Sequence, residues 1–376
     1  MDQRGTGQSN GLDCPQGGIR NADLQAVLDA ILLFDLGDVA ACRDQLSTRA
    51  DLSQYTTPIA MDDLDEVRSA LGYGRINLYG GSYGTRAAQV YLREHPQSTR
   101  AVVLRGVAPM PLRIPQDMTE GSEEALSELF ADCRRTPRCR QAFRAPAREL
   151  SSLLERLEAV PAAVSVEDPR SHQQVTITFT RDHLAETLRL MLYDADSASL
   201  IPAYLHAAAG GDFTLLAQEA ATSSAKMAAR LRLGMFLSVV CAEDAPFLSP
   251  AEELIPEGPL FSRRRQSNVL SACSLWPRGE LPAGYKRNVS SEVPVLLISG
   301  AVDPITPAFG GAKVARHLPH SLHLVLPAMG HAPMLPGCTA TLADQFLDRG
   351  TVEGLDASCL AGLARPLFLL PTQISR

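Results

Sequence analysis

No stretch of this 376-residue chain reaches the about 18 consecutive apolar residues that a membrane-crossing helix needs. No C-x-x-C pair and no cysteine–histidine cluster occurs, so no metal site is expected, and no cofactor either. Basic residues are not in surplus. The 35 lysines and arginines stand against 42 acidic residues, a net charge of −7, which argues against a nucleic-acid partner. Internal repeats and low-complexity tracts are missing. Met1-Asp2-Gln3-Arg4-Gly5 lacks the apolar segment of an export signal. What remains is an ordinary globular composition, 45% hydrophobic and 20% charged, long enough for roughly two domains and an ample core.

Eight cysteines fall in sequence-local twos: Cys14 and Cys42, Cys133 and Cys139, Cys241 and Cys273, Cys338 and Cys359. Two readings follow. One is four disulfides in an oxidising compartment. The other is eight reduced thiols packed as small hydrophobes. The first is preferred, and it conflicts with the lack of an export signal.

The pattern along the chain alternates helix and strand. Residues 21–46 repeat apolar positions at helical spacing, with Leu24, Val27, Leu28, Ile31 and Leu32 on one side. Thr57 and Pro58 suit the N-cap and first position of a further helix over 60–71, with Met61, Leu64 and Val67 turned inward. Short apolar runs at 75–79 and 101–104 read as buried strands around a helix over 83–95. Strand, turn, helix and strand in that order mark a parallel α/β sheet. Between about 116 and 266 the pattern becomes mainly helical (121–133, 139–157, 182–193, 197–209, 223–240), with one strand at 174–180. The strand pattern returns at 293–300 and 321–326, with helices at 309–317 and 339–349. The tail, 366–376, has no clear period. The expected organisation is an α/β core over 1–112, a helical cap over 113–288, and a second part of the core over 289–376.

Three positions in this pattern carry chemistry. Gly80, Ser82 and Gly84 form G-x-S-x-G between a strand and a helix, the signature of a nucleophile elbow. The small residues permit the tight turn that holds a serine oxygen clear of the sheet. The helix behind it offers the Tyr83 N–H to a developing oxyanion. Asp303 follows the 293–300 strand, and His331 follows the 321–326 strand. Serine, then acid, then histidine, each after a strand, is the order in which a nucleophile, its orienting carboxylate and its base occur in α/β-hydrolases. The other histidines lie within or after helices and strands, where packing or solvent accounts for them.

These residues carry a resemblance. Asp2-Gln3-Arg4-Gly5-Thr6-Gly7, Gly80-Gly81-Ser82-Tyr83-Gly84-Thr85, the stretch from Ser299 to Pro307 and Gly330-His331 resemble the S33 serine peptidases, the prolyl and tripeptidyl aminopeptidases of the α/β-hydrolase fold. The last stretch, with Cys338 and Cys359, is similar to the tripeptidyl branch. That resemblance implies export, so a periplasmic or secreted intact protein. It also implies that strands and a second oxyanion donor normally precede the D-Q-R-G motif, so the chain is expected to be N-terminally truncated. The 75–79 strand is then expected at an open sheet edge, and Tyr83 as the one obvious oxyanion donor. One lost donor is worth roughly 2.7–4 kcal/mol.

The implied substrate is a peptide with a free N-terminus. An ammonium group needs carboxylates facing the pocket. Glu243 and Asp244, closing a cap helix beside Cys241, are the first candidates, and Glu120, Glu123 and Glu124 the second. An esterase with the same triad and a non-catalytic remnant are the alternatives to an aminopeptidase.

Overall fold

Val295–Gly300 is buried at every position, which requires covering on both faces. In the computed structural model this strand lies inside a parallel sheet. The structure describes residues 2–14, 22–249, 263–331, 333 and 337–371. Among them the strands are β1 (Ile76–Gly81), β2 (Thr99–Arg105), β3 (Ala162–Glu167), β4 (Gln174–Phe179), β5 (Val295–Gly300) and β6 (Ser321–Leu326). The main sheet has the order β1-β2-β5-β6, parallel throughout, and β3 and β4 form a separate antiparallel pair.

Side-chain alternation along β2 builds two cores from one strand. Val102 and Leu104 pack with Leu78, Val90, Leu92 and Leu297 on one face. Ala101 and Val103 pack with Leu296, Ile298, Leu324 and Phe346 on the other, under the helix Thr339–Arg349. The helices Tyr83–Glu94 and Ala308–Ala315 make the crossovers β1 to β2 and β5 to β6. Among the described residues β1 and β6 are the sheet edges, and Asn77 and Tyr79 are exposed on β1.

The long insertion leaves after β2 and returns to β5, its neighbour in the sheet. It builds a core from Leu126, Leu129, Leu153, Phe179, Leu184, Leu188 and Leu205, joined by Leu24 and Leu28 of the helix Leu24–Leu32. Val302 and Ile305, from the turn after β5, pack into that same core. The insertion therefore rests on the segment that carries Asp303. All eight cysteines are paired, in the four sequence-local twos. No helix among the described residues is long and apolar enough to cross a membrane.

Several local expectations need correction. The helix expected over 21–46 is two, Leu24–Leu32 and Leu36–Ser47, because Asp35 turns its carboxylate back to cap the second. Asn21 lies outside the described residues. The N-cap before Pro58 is Thr56, not Thr57. Val67 is 39% exposed rather than inward, since the helix Thr57–Ala70 packs through its first two turns. The 139–157 helix breaks before Pro146, which opens the helix Pro146–Ala159. The 223–240 helix is two, Thr214–Arg230 and Leu233–Glu243. The strand at 174–180 has a partner, β3, that the reading missed. Val164 and Val166 are its buried positions, a period of two too short to stand out among helices. The 250–262 part of the expected cap and residues 372–376 of the tail lie outside the described residues.

Candidate active site

The turn from β1 into the helix Tyr83–Glu94 places Ser82 in a conformation that non-glycine residues rarely adopt, φ +53° and ψ −120°. Two backbone bonds hold it. The Ser82 N–H donates to the Arg105 carbonyl on β2, and the Thr85 N–H donates to the Ser82 carbonyl, each at 2.9 Å. The turn is so tight that a Cβ on Gly80 would lie 2.3 Å from the Gly84 oxygen. Tyr83 is the first residue of the helix, so its N–H has no intrahelical acceptor.

His331 Nε2 lies 2.8 Å from Ser82 Oγ, across 249 positions of sequence. Its Nδ1 lies 3.0 and 2.9 Å from the two carboxylate oxygens of Asp303. Asp303 is buried and fully engaged. Its Oδ1 accepts the N–H groups of Ile305 and Thr306, and its Oδ2 accepts the Thr306 hydroxyl at 2.8 Å. Three donors plus the imidazole stabilise a carboxylate that water cannot reach. Thr306 Oγ1 also lies 3.2 Å from His331 Nδ1. Sequence reading passed over Thr306. The signal was there, a hydroxyl three residues after an aspartate in a proline-bounded turn.

The N-terminal D-Q-R-G turn is packed against this site. Arg4 forks onto Asp63 at 2.5 Å and donates to the Gln54 carbonyl. Gln3 donates to the Tyr83 hydroxyl at 3.3 Å. Gly5, at φ +79°, has no room for a side chain, because a Cβ would meet Met235 Sδ at 2.8 Å and the Tyr55 ring at 2.9 Å.

Glu243 and Asp244 are both fully buried, and both are taken up by protein partners. Asp244 accepts two bonds from Arg86 at 3.0 Å and one from Lys286 at 2.7 Å. Glu243 accepts the Thr57 N–H at 2.6 Å and the Tyr285 hydroxyl at 2.5 Å, with Arg86 at 3.7 Å. Burial raises the Glu243 pKa despite Arg86, Tyr285 and Thr57. Burial also drives Lys286 down, helped by Arg86. The Tyr83 phenol is pushed up to about 12 by burial and then by the Glu243 charge. Arg86 is a second residue that sequence reading missed. It sits one turn behind Ser82 and is buried.

A cavity of about 410 Å³ opens beside Ser82. Its walls are mainly apolar, with Leu112, Ile114, Met235, Phe236, Val239 and Ile305 among them, and Asp244, Arg86, Arg230 and Arg232 are its charged lining residues. Glu243, Glu120, Glu123 and Glu124 are not among its lining residues, and Glu120 lines a different cavity with Arg113 and Lys313. Of the other described histidines, His95 meets Asp62, His183 meets Asp29 and Thr180, His206 meets Glu149, and His323 meets Ser299.

A hydroxyl on a strained strand-to-helix turn, an imidazole within hydrogen-bond reach and a buried carboxylate behind it define the serine–histidine–acid arrangement on a parallel α/β sheet. A profile of the alpha/beta hydrolase fold matches residues 1–337, and the chain belongs to that family. It is 24% identical over 343 residues to the serine protease Hip1 of Mycobacterium tuberculosis, covering 85% of this chain and 64% of that one. It is 40% identical over 77 residues to a proline iminopeptidase of Xylella fastidiosa, covering 20% and 23% of the two chains. The chain thus spans somewhat under two thirds of the Hip1 length. Among solved structures, a serine hydrolase from Cycloclasticus zankles aligns at a TM-score of 0.35 and 13% identity, over 78% of this chain and 70% of that one.

Proposed function

We propose that this protein is a serine hydrolase that cleaves peptides through an acyl-enzyme on Ser82. The observation that carries the reading is the unbroken chain from Ser82 Oγ to His331 Nε2 and from His331 Nδ1 to Asp303. Ser82 Oγ attacks the scissile carbonyl while His331 takes its proton. The carbonyl oxygen becomes an oxyanion that accepts the Tyr83 N–H. Collapse breaks the bond to the leaving group, which receives the proton from His331. Water then attacks the acyl-enzyme along the same path and frees Ser82. Asp303 fixes the imidazole tautomer and stabilises its charged form. Residues 113–288 serve as the lid over this chemistry.

The names of the relatives, a serine protease and a proline iminopeptidase, support a peptide substrate. An aminopeptidase would place Glu243 and Asp244 at the substrate ammonium. That role has the least support within the reading, because Arg86, Lys286, Tyr285 and Thr57 already occupy both carboxylates. One observation favours a second reading, hydrolysis of esters or N-blocked acyl groups: the cavity beside Ser82 is walled mainly by apolar side chains. The four disulfides support an oxidising compartment, periplasmic or extracellular.

A fluorophosphonate probe tests the chemistry. Labelling at neutral pH that disappears in Ser82→Ala is expected, and absent labelling of folded protein overturns the proposal. Hydrolysis rates on a free-amine peptide, its N-acetylated form and a matched ester then divide the readings. If Glu243→Gln leaves KM for the free-amine peptide unchanged, the amine-binding role is wrong.

A further inference from the structure

We propose that Tyr193 is a positioning residue for His331, so that the inserted segment sets the orientation of the base together with the sheet. The inference rests on the serine-hydrolase reading above. Asp303 fixes one edge of the imidazole but leaves its tilt and its main chain free. Tyr193 constrains both. The His331 N–H donates to the Tyr193 carbonyl at 2.8 Å. The Tyr193 ring meets the imidazole edge-to-face, with centroids 5.0 Å apart and planes at 71°. The contact has no slack, since a Cβ on Gly330 would lie 2.4 Å from the Tyr193 oxygen and 2.6 Å from the Leu192 oxygen.

Tyr193 is itself held from the insertion. Its hydroxyl accepts a bond from Arg189 Nη1 at 3.0 Å, and the Arg189 guanidinium carbon lies 5.4 Å from the ring centroid. Arg189 is buried and forks onto Glu186, donating from Nε at 2.7 Å and from Nη2. Arg265, from the helix Arg263–Leu275, donates to the same carboxylate at 2.8 Å. The run from Arg265 through Glu186, Arg189 and Tyr193 to His331 ties two helices of the insertion to the base. Nothing in it touches substrate or transfers a proton. Its effect is to keep Nε2 aimed at Ser82.

The test measures the rate of fluorophosphonate labelling per folded site, and kcat and KM on a p-nitrophenyl ester. Wild type is compared with Tyr193→Phe, Tyr193→Ala and a control, Leu205→Ala, a buried leucine of the insertion's core. Misplaced reacting groups lower the rate of the step they carry, so Tyr193→Ala is expected to label roughly 30- to 100-fold more slowly, with KM within about twofold of wild type. Tyr193→Phe keeps the ring and loses only the hydrogen bond from Arg189, so a fall of about three- to tenfold is expected. The downfield proton resonance of the Asp303–His331 hydrogen bond should broaden in Tyr193→Ala and persist in Leu205→Ala. The inference is overturned if Tyr193→Ala labels within about threefold of wild type, or no more slowly than Leu205→Ala at matched loss of melting temperature. If Tyr193→Ala does not fold, Tyr193→Leu takes its place under the same criteria. Absence of Ser82 labelling in folded wild-type protein would instead overturn the hydrolase reading.

Discussion

Arg86 and Asp244 meet fork on fork, with two bonds of 3.0 Å between side chains that are both buried. Arg86 lies one turn behind Ser82, and Asp244 caps the helix Leu233–Glu243 of the insertion. Lys286 adds a third charge, and the Leu112 carbonyl accepts from both cations. The pair thus bolts the insertion to the helix Tyr83–Glu94, which follows Ser82.

Removing Asp244 takes the direct partner from both Arg86 and Lys286 and leaves Arg86 with Glu243 at 3.7 Å. Asp244→Asn should therefore lose about 3–5 kcal/mol of stability, read as a lower denaturant midpoint at unchanged m-value. The double variant Arg86→Met/Asp244→Leu should recover part of that loss. A single variant within about 1 kcal/mol of wild type would show that the pair is not a structural bolt.

Ser82 holds a backbone conformation that glycine adopts without strain. Such a residue stores on the order of 1–3 kcal/mol. Ser82→Gly should abolish fluorophosphonate labelling and raise the unfolding free energy by about 1 kcal/mol. A destabilised Ser82→Gly would mean that the elbow is not strained.

Loop size ranks the disulfides. Cys241–Cys273 closes a separation of 32 residues, and Cys133–Cys139 one of only 6. Chain-entropy scaling gives about 3–4 kcal/mol for the first and about 2 kcal/mol for the second. Alanine pairs should lower stability in that order. Trp276, whose indole N–H donates to Ser238 beside the larger loop, gives the fluorescence readout. Equal losses would show that local geometry, not loop closure, governs them.

Two sets of carboxylates respond oppositely to acid. Asp29 is held below the usual carboxylate range by its bond to His183, and Asp168 by Arg170. Burial pushes Glu186 up, but Arg189 and Arg265 outweigh it and leave it low. These groups add stability above their unfolded values, about 3.9–4.3, and lose it as pH falls through their lower folded values. Glu243 is raised by burial, so its contribution is full below about pH 4.3 and declines as pH rises through its folded value. The melting temperature of Glu243→Gln relative to wild type should therefore climb as pH rises above about 4.3. A flat or falling difference contradicts the raised Glu243.

Much of the fold was legible because its signals are local. Buried parallel strands appear as unbroken apolar runs, and Gly80, Ser82 and Gly84 announce a turn that few other residues could make. The misread helices share one cause. The 21–46 and 139–157 patterns stay apolar-periodic across breaks that a single capping aspartate or proline decides, and periodicity averages over such points. β3 was missed because a half-buried strand gains its stability from a partner, and sequence does not show which segment will supply it.

The sequence by itself determined which residue types occupy the ends of the strands, hence Ser82, Asp303 and His331 in chain order, and the sheet that carries them. It also determined the cysteine twos, since residues close along a chain are easily brought together. Only the tertiary structure decided what surrounds them. Glu243 and Asp244 looked like free acids closing a helix, but Arg86 from 158 positions away and Lys286 from the far end of the insertion take up Asp244, while Thr57 and Tyr285 hold Glu243. Thr306 and Tyr193 gained their relation to His331 in the same way. A buried charge must find partners wherever the fold brings them, and those partners are set by packing across long sequence separations rather than by any local pattern.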